Sequence, residues 1–322
     1  YQCMEDNTTG ASNAAIGRRT LESNTTGMHN NCLGAGAMES NTTGSCNIAI
    51  GNAALDTQTA ANDNIAIGHY ALTANTTGNN NTAVGHKAFY VCTTASESTA
   101  IGAFAGQAVT TGDQNTLMGY NAGGSLTTGG SNIAIGAYAL DACTTSSHNT
   151  AIGNAALSAA TGEYNTALGS AAMQTTTTGD RNTALGYGTL YDNTIGAQNT
   201  AVGMSALVNN TTASANVAVG YNSLVTNTTG SYNTAVGYNA LNDNTTASHN
   251  TAIGAYALDE CTDGYQNVAV GNYSLGELTT AANNTAVGYA CMEKNTTGSH
   301  NTAVGHYALD ANTTGNSSTA IG

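Results

Sequence analysis

The sequence predicts an all-β fold, a parallel β-solenoid of nineteen 17-residue coils forming a fibre, and three observations predict it. Gly closes a pentapeptide of the Asn-Thr-Ala-Val-Gly type at position 17 and then at every seventeenth residue to Gly322, with one interval of 16 between Gly153 and Gly169. A fixed short period marks a solenoid, because units that cannot bury their own apolar face stack on their neighbours. Columns are counted 1–17 from the residue after each Gly. Aliphatic or β-branched residues then recur two apart at columns 14 and 16, as in Ile48 and Ile50 or Val217 and Val219, which is a strand period. No 3.6-residue period runs through the columns, and helix-pair repeats need about 33 residues or more, so a helical solenoid is excluded. The array takes up residues 1–322 as a single domain.

Tyr238–Gly254, YNALNDNTTASHNTAIG, shows one coil in full. Columns 13–16 predict one short strand and columns 1–5 a second, with the column-17 Gly as a tight corner that needs positive φ or close backbone approach. Columns 5–12, rich in Asn, Thr, Gly and Ser, predict a turn and outer loop. Column 16 is always apolar, and column 4 is Leu, Met or Phe everywhere except Gly106 and Gly123, so these two columns are the expected core. Column 15 lies between columns 14 and 16 and is expected to point outward; it is Ala except at Cys32 and Leu117. The outward stripe, exemplified by Ala235, Ala252, Ala269, Ala286 and Ala303, is either a plain exposed face or a contact with neighbouring chains. Stacked at about 4.8 Å per coil, the repeats would give a rod on the order of 90 Å.

Two asparagine columns divide the remaining polar residues. Column 13 is Asn in all repeats but two, and its regularity predicts a backbone-bonding or stacked-amide ladder at the strand entrance, as at Asn233, Asn250, Asn267, Asn284 and Asn301. Column 7 tolerates Gln58, Cys92, Val109, Leu126 and Thr176 and reads as the freer, outward position. Its Asn-Thr-Thr triplets at Asn7, Asn24, Asn41, Asn75, Asn210, Asn227, Asn244, Asn295 and Asn312 are N-glycosylation acceptors by sequence, set against the plain alternative that Asn and Thr are turn formers. Further matches fall at Asn80, Asn209, Asn272, Asn283 and Asn316. The Thr rows of columns 8 and 9 raise ice binding as an outside alternative, disfavoured because adjacent residues in a turn do not make a flat array.

Composition excludes several functions. Formal charge is −14, carried by 19 acidic residues against five Lys/Arg, and no basic patch exists for nucleic acid or anionic lipid. No run approaches the roughly 18 apolar residues of a membrane span. Seven Cys without a Cys-x-x-Cys pair argue against zinc and thioredoxin-like chemistry. Cys92, Cys143 and Cys261 share column 7 several coils apart, too far for a disulfide, and the pair expected to be able to meet is Cys32 and Cys46, in adjacent coils but different columns. His69 and His86 share column 1 in successive coils and would stack; surface polarity is the expected role, with no metal. Acid pairs such as Asp259–Glu260 read as solvated loop charges. No phosphate loop, nucleophile elbow or local triad appears, so neither catalysis nor a cofactor is expected. Both ends keep the repeat pattern without capping repeats, which predicts an excerpt or unit of a longer filament.

The Asn-Thr-Ala-[Val/Ile]-Gly-x-x-Ala-Leu unit, as in Asn233–Leu241 and Asn301–Leu309, resembles the head repeats of YadA-like trimeric autotransporter adhesins. The same unit with its Asn-Thr-Thr-Gly extension is similar to repeats of phage-tail-fibre-like and bacterial surface proteins that end in an endosialidase-type chaperone domain. The resemblance spans the whole chain and recurs in every repeat; the usual head repeat is shorter than 17, so the outer loop differs. It implies a left-handed parallel β-roll, three chains wound as one rod, a role in adhesion or spacing, and an extracellular or cell-surface location. The expected function is therefore an extracellular structural or adhesive fibre that self-associates as a homotrimer or end to end, with host or surface glycans as further partners. A phage-type tail fibre that binds or processes surface carbohydrate, and a single-chain glycan-coated fibre, are the alternatives.

Overall fold

The computed structural model describes residues 3–322 and holds no helix among them. One three-residue strand occurs per coil at columns 14–16, giving nineteen strands from β1 (Ala14–Ile16) to β19 (Thr319–Ile321) in a parallel β-solenoid. Two compact units divide the chain, Tyr1–Thr161 and Gly162–Gly322, with the boundary inside the one 16-residue repeat. Within each unit every strand pairs in register with the next. In the second unit Thr234, Ala235 and Val236 lie opposite Thr251, Ala252 and Ile253.

Coil-to-coil bonds also run where no strand is present. In the coil of residues 238–254, the N–H groups of Leu241, Asp243 and Thr251 donate forward to Ala257, Asp259 and Asn267, at 3.0, 2.9 and 2.8 Å. The N–H groups of Asn239, His249 and Gly254 donate backward to Tyr221, Ser231 and Val236, at 3.0, 3.1 and 2.8 Å. This alternation satisfies backbone polar groups that an irregular coil would otherwise strand.

Among the described residues the second strand expected at columns 1–5 is absent; that segment is a run of turns. The reason is visible in the dihedrals. Columns 2, 4 and 12 sit at positive φ, for example Asn239 at 52°, Leu241 at 52° and His249 at 63°. A left-handed residue costs roughly 1–2 kcal/mol when it carries a side chain, and its recurrence shows that stacking over-determines the turn. The column-17 Gly has a sterically unavoidable role. At Gly254, φ is +134°, and a Cβ would stand 2.5 Å from the carbonyl oxygen of Gly271 in the next coil.

The interior reverses the expected sides of the strand. Ala235, Ala252, Ala269, Ala286 and Ala303 are fully buried, so the contact between chains expected at these alanines is corrected: they face the inside of their own coil. Column 16, expected as core, points out, with Ile253 42% exposed and Val304 39%. The physical reason is volume. Column 4 turns its Leu inward, as at Leu241 and Leu258, and the Ala of column 3 and the residue of column 7 fill beside it. In most coils column 4 supplies the one large apolar side chain, Leu278 beside Leu275 being a coil with two, and the strand contributes a methyl group.

The exceptions obey the same rule. Where column 4 loses its large residue at Gly106 and Gly123, column 15 gains one at Leu117, which is fully buried. A Cβ on Gly106 would meet Leu117 Cδ1 at 2.7 Å, and one on Gly123 would meet Leu117 Cδ2 at 2.9 Å. Leu117 fills the space at Gly123, and together with the Phe89 ring, 2.6 Å from the same Cβ position, the space at Gly106.

Candidate functional site

Three features of the coil bear on function: two interior amide ladders, an outward apolar strand face, and a row of exposed aromatic rings. The column-13 ladder forms through Asn233, Asn250, Asn267, Asn284 and Asn301. Asn250 Oδ1 accepts the backbone N–H of Asn267 at 2.9 Å, and Asn250 Nδ2 donates to the Gly264 carbonyl at 2.7 Å. The same pattern recurs between Asn284 and Asn301, whose N–H donates to Asn284 Oδ1 at 3.0 Å.

Column 7, read from sequence as outward, forms a second interior ladder. Asn24, Asn41, Asn75, Asn210, Asn227, Asn244 and Asn295 are fully buried. Asn7 and Asn312 are half-buried in the first and last coils. Asn227 Nδ2 donates to Asn210 Oδ1 at 3.0 Å and to the Gly230 carbonyl at 3.0 Å. The nitrogen that would carry a sugar is thus a hydrogen-bond donor inside the coil, and the expectation of regular outward glycosylation sites is corrected. The secondary matches at Asn80, Asn209, Asn272, Asn283 and Asn316 are the exposed ones. The column-7 ladder also explains its substitutions: Cys92, Val109, Leu126, Cys143 and Cys261 are interior residues, fully buried. Where Cys261 follows Asn244, the amide chain stops and Asn244 Oδ1 is buried without a partner. The Thr row of column 8 is likewise committed, Thr228 Oγ1 donating to the Thr245 carbonyl at 3.1 Å.

All seven cysteines are free. Cys32 is buried and Cys46 exposed, so the adjacent-coil pair faces opposite ways. Burial pushes the thiols of Cys32, Cys92 and Cys261 up to about 12, which removes thiolate reactivity.

The outward face of the strands carries columns 14 and 16. In the second unit it presents Thr or Val at column 14 beside Leu168, Leu185, Val202, Val219 and their successors to Ile321. With about 4.8 Å per coil and about 7 Å between alternate residues of a strand, ten coils present roughly 300–500 Å², the range in which exposed apolar patches mark interaction sites.

Aromatic rings at columns 1 and 2 make the third feature, which the sequence reading passed over apart from His69 and His86. Those two rings stack at 5.4 Å, and the row continues in the first unit through Phe104, Tyr120 and Tyr138. Among the described residues no group of three metal-binding side chains forms. In the second unit a longer row runs through Tyr221, Tyr238, Tyr256, Tyr273 and Tyr289 to His306 and Tyr307, with centroids 5.0–6.3 Å apart. The signal was available: Tyr, His or Phe recurs at column 1 or 2 in each of these coils.

Beside this second row lies a groove of about 180 Å³ lined by Tyr256, Asp259, Glu260, Tyr273, Gly276, Glu277 and Glu293. Asp259 departs from the solvated loop charge expected of it. Its Oδ1 is buried without a hydrogen-bond partner. Burial, then the nearby charges of Asp243 and Glu260, hold its carboxyl up at about 6. No helix among the described residues is long and apolar enough to cross a membrane. No described protein family and no curated protein matches this chain.

Proposed function

We propose that the chain is a unit of an extracellular structural or adhesive fibre, and that it self-associates through the outward face of its strands. One observation carries the reading: every strand except the first and the last buries its central residue and turns two side chains outward, so that Val, Ile, Leu and Thr form rows of exposed and half-exposed side chains. Water does not favour such rows, and a facing copy with the same periodicity would cover them coil for coil. The resemblance to trimeric adhesin heads supports the same arrangement and the cell-surface location. The structure changes the surface that would mediate it, from the alanine column to columns 14 and 16.

The test is the mass of the full chain in solution, by sedimentation equilibrium at micromolar concentration. The reading expects a multiple of the 32.1 kDa chain, and reversion toward one chain in a Val236→Lys/Ile253→Lys/Val270→Lys variant. A wild-type chain sedimenting as a single copy would remove this function. The glycan-coated single-chain fibre loses its regular attachment points with the burial of column 7 and is not carried further. Surface carbohydrate remains a partner this proposal allows, at faces other than the strand face.

A further inference from the structure

We propose that the pairs Tyr120–Tyr138, Tyr238–Tyr256 and Tyr289–Tyr307 are oxidative cross-linking sites, where a one-electron oxidant of phenols joins neighbouring coils of one chain through dityrosine bonds. The sequence places the three pairs alike. In each, a tyrosine at column 1 is followed eighteen residues later by one at column 2 of the next coil. The fold then sets their rings alike, with centroids 5.4, 5.3 and 5.5 Å apart and planes crossing at 70°, 61° and 83°. One pair lies in the first unit and two in the second, so the geometry comes from the coil spacing and not from one local surface.

Coupling of two phenols makes a carbon–carbon bond between ring positions ortho to the hydroxyls. A biaryl cannot hold its rings face to face, and tilted rings with one edge leading are a short turn from it. The hydroxyl ends also meet in two of the pairs. The hydroxyl of Tyr289 bonds that of Tyr307 and holds its phenol above the ordinary value. Partial burial, then the hydroxyl of Tyr238, does the same for Tyr256. The same-column pairs are arranged differently. Tyr221–Tyr238 and Tyr256–Tyr273 lie face to face, 14° and 2° from parallel at 5.4 and 5.0 Å, which keeps each ortho carbon a coil spacing from its counterpart. Tyr70–Tyr90 and Tyr273–Tyr289 meet edge on, but at the wider 6.0 and 6.3 Å. An oxidant has access to the three tilted pairs, since Tyr256 is half-buried and the other five rings are exposed.

The reaction balances with the oxidant named. Each ring gives one electron to the oxidant and its phenolic proton to water, and the two phenoxyl radicals close the new bond. The coupled carbons then lose their hydrogens as protons while the oxygens take protons up again. Per link, two C–H bonds break, one C–C bond forms, and two electrons and two protons leave. With a haem peroxidase and hydrogen peroxide, they reduce the peroxide to two waters. Each link ties residues eighteen apart across adjacent coils and restricts the unfolded chain as a disulfide would. It lies within one chain and does not rest on self-association.

The test irradiates the full chain in dilute solution with tris(bipyridine)ruthenium(II) and persulfate. Dityrosine fluorescence should appear at a yield per chain that is independent of protein concentration. Peptide mapping should place the links, each lighter by two hydrogens, at the three tilted pairs. The variant Tyr138→Phe/Tyr256→Phe/Tyr307→Phe keeps every ring and should lose most of the signal. Tyr187→Phe/Tyr265→Phe should keep it: these rings are 63% and 51% exposed, yet among the described residues neither stands against another ring. After oxidation the parent should need more urea to unfold than the triple variant. Fluorescence unchanged in the triple variant, links chiefly at the face-to-face pairs, dityrosine confined to covalent dimers that grow with concentration, or no dityrosine would each overturn the proposal. Sedimentation of the unoxidised chain reads self-association separately, so the failure of either reading is distinguishable from that of the other.

Discussion

Replacing Leu117 by Ala tests the interior packing where it departs most from the repeat. Leu117 is fully buried and sits against the positions a Cβ would take on Gly106 and Gly123, at 2.7 and 2.9 Å. Large-to-small core substitutions of this kind cost about 2–5 kcal/mol, rising with the volume left empty. Here two of the neighbours are glycines with no side chain to move into the space, and the Phe89 ring borders it at Gly106, so the upper part of that range, about 3–5 kcal/mol, is expected. With a urea dependence of about 1–3 kcal/mol per molar, the midpoint should fall by roughly 1–5 M. Gly123→Leu alone should overpack against Leu117 and cost about 1–3 kcal/mol. The pair Leu117→Ala/Gly123→Leu restores the ordinary pattern of Leu at column 4 and Ala at column 15, as at Leu140 and Ala134. It should recover to within about 1.5 kcal/mol of the parent, a volume-conserving exchange. The assay is urea unfolding followed by far-UV circular dichroism on all four proteins. If Leu117→Ala costs under about 1 kcal/mol, or if the two substitutions simply add, column 15 does not face the interior and the packing argument fails.

Four further outcomes follow from the same geometry. Asn250→Ala removes an acceptor from the Asn267 N–H and a donor from the Gly264 carbonyl; urea unfolding should show a loss of about 2–5 kcal/mol, two buried groups left unpaired. Asn272→Ala, on the surface, should change stability by less than about 0.5 kcal/mol. In a thiol titration of the folded protein Cys46 should react first, with Cys92, Cys143, Cys261 and Cys291 reacting only as fast as the chain opens; two or more of these four reacting at the Cys46 rate would contradict their burial. Asp259 carries a carboxyl raised from 3.8 to about 6, so the folded state holds its proton more tightly than the unfolded one. Its contribution is most favourable below about pH 4 and is lost as pH rises through about 6. Asp259→Asn should therefore stabilise the chain near neutral pH and confer little advantage near pH 4, a crossover that paired unfolding curves would reveal.

The coil period, the strand at the Thr-Ala-Val segment and the corner Gly were legible because each is a regularity of sequence. A Gly at column 17 in every repeat admits few explanations, and the 2.5 Å approach at Gly254 is the plainest of them. The sides of the strand were not legible. Hydrophobicity ranks Ile253 above Ala252 for burial, but in a coil whose interior is already filled by Leu241, Leu258 and the amide ladders, size decides instead. Column 7 misled for a related reason. Its mixture of Asn, Cys, Leu and Val resembles a tolerant surface position, whereas it is an interior position where an amide that bonds its neighbours and an apolar side chain are alternative fillings. The turn of columns 1–6 was hidden because Leu and Asn at positive φ, such as Leu241 and Asn239, contradict ordinary propensity and exist only through stacking. The aromatic row was readable but dispersed over two columns, and its meaning depends on the ring contacts that the fold sets.

The central claim is that each strand hides its middle residue and offers the next to another copy of the chain. Single cysteines at Ala252 and Ile253, each in a Cys46→Ser background, test it by maleimide labelling across a range of protein concentrations. Cys32 occupies the inward column naturally and is buried, so Ala252→Cys has a precedent in this fold. The account predicts slow labelling of Ala252→Cys at every concentration, and fast labelling of Ile253→Cys in dilute solution that slows as the copies associate. Fast labelling at 252, or labelling at 253 that is indifferent to concentration, would contradict it.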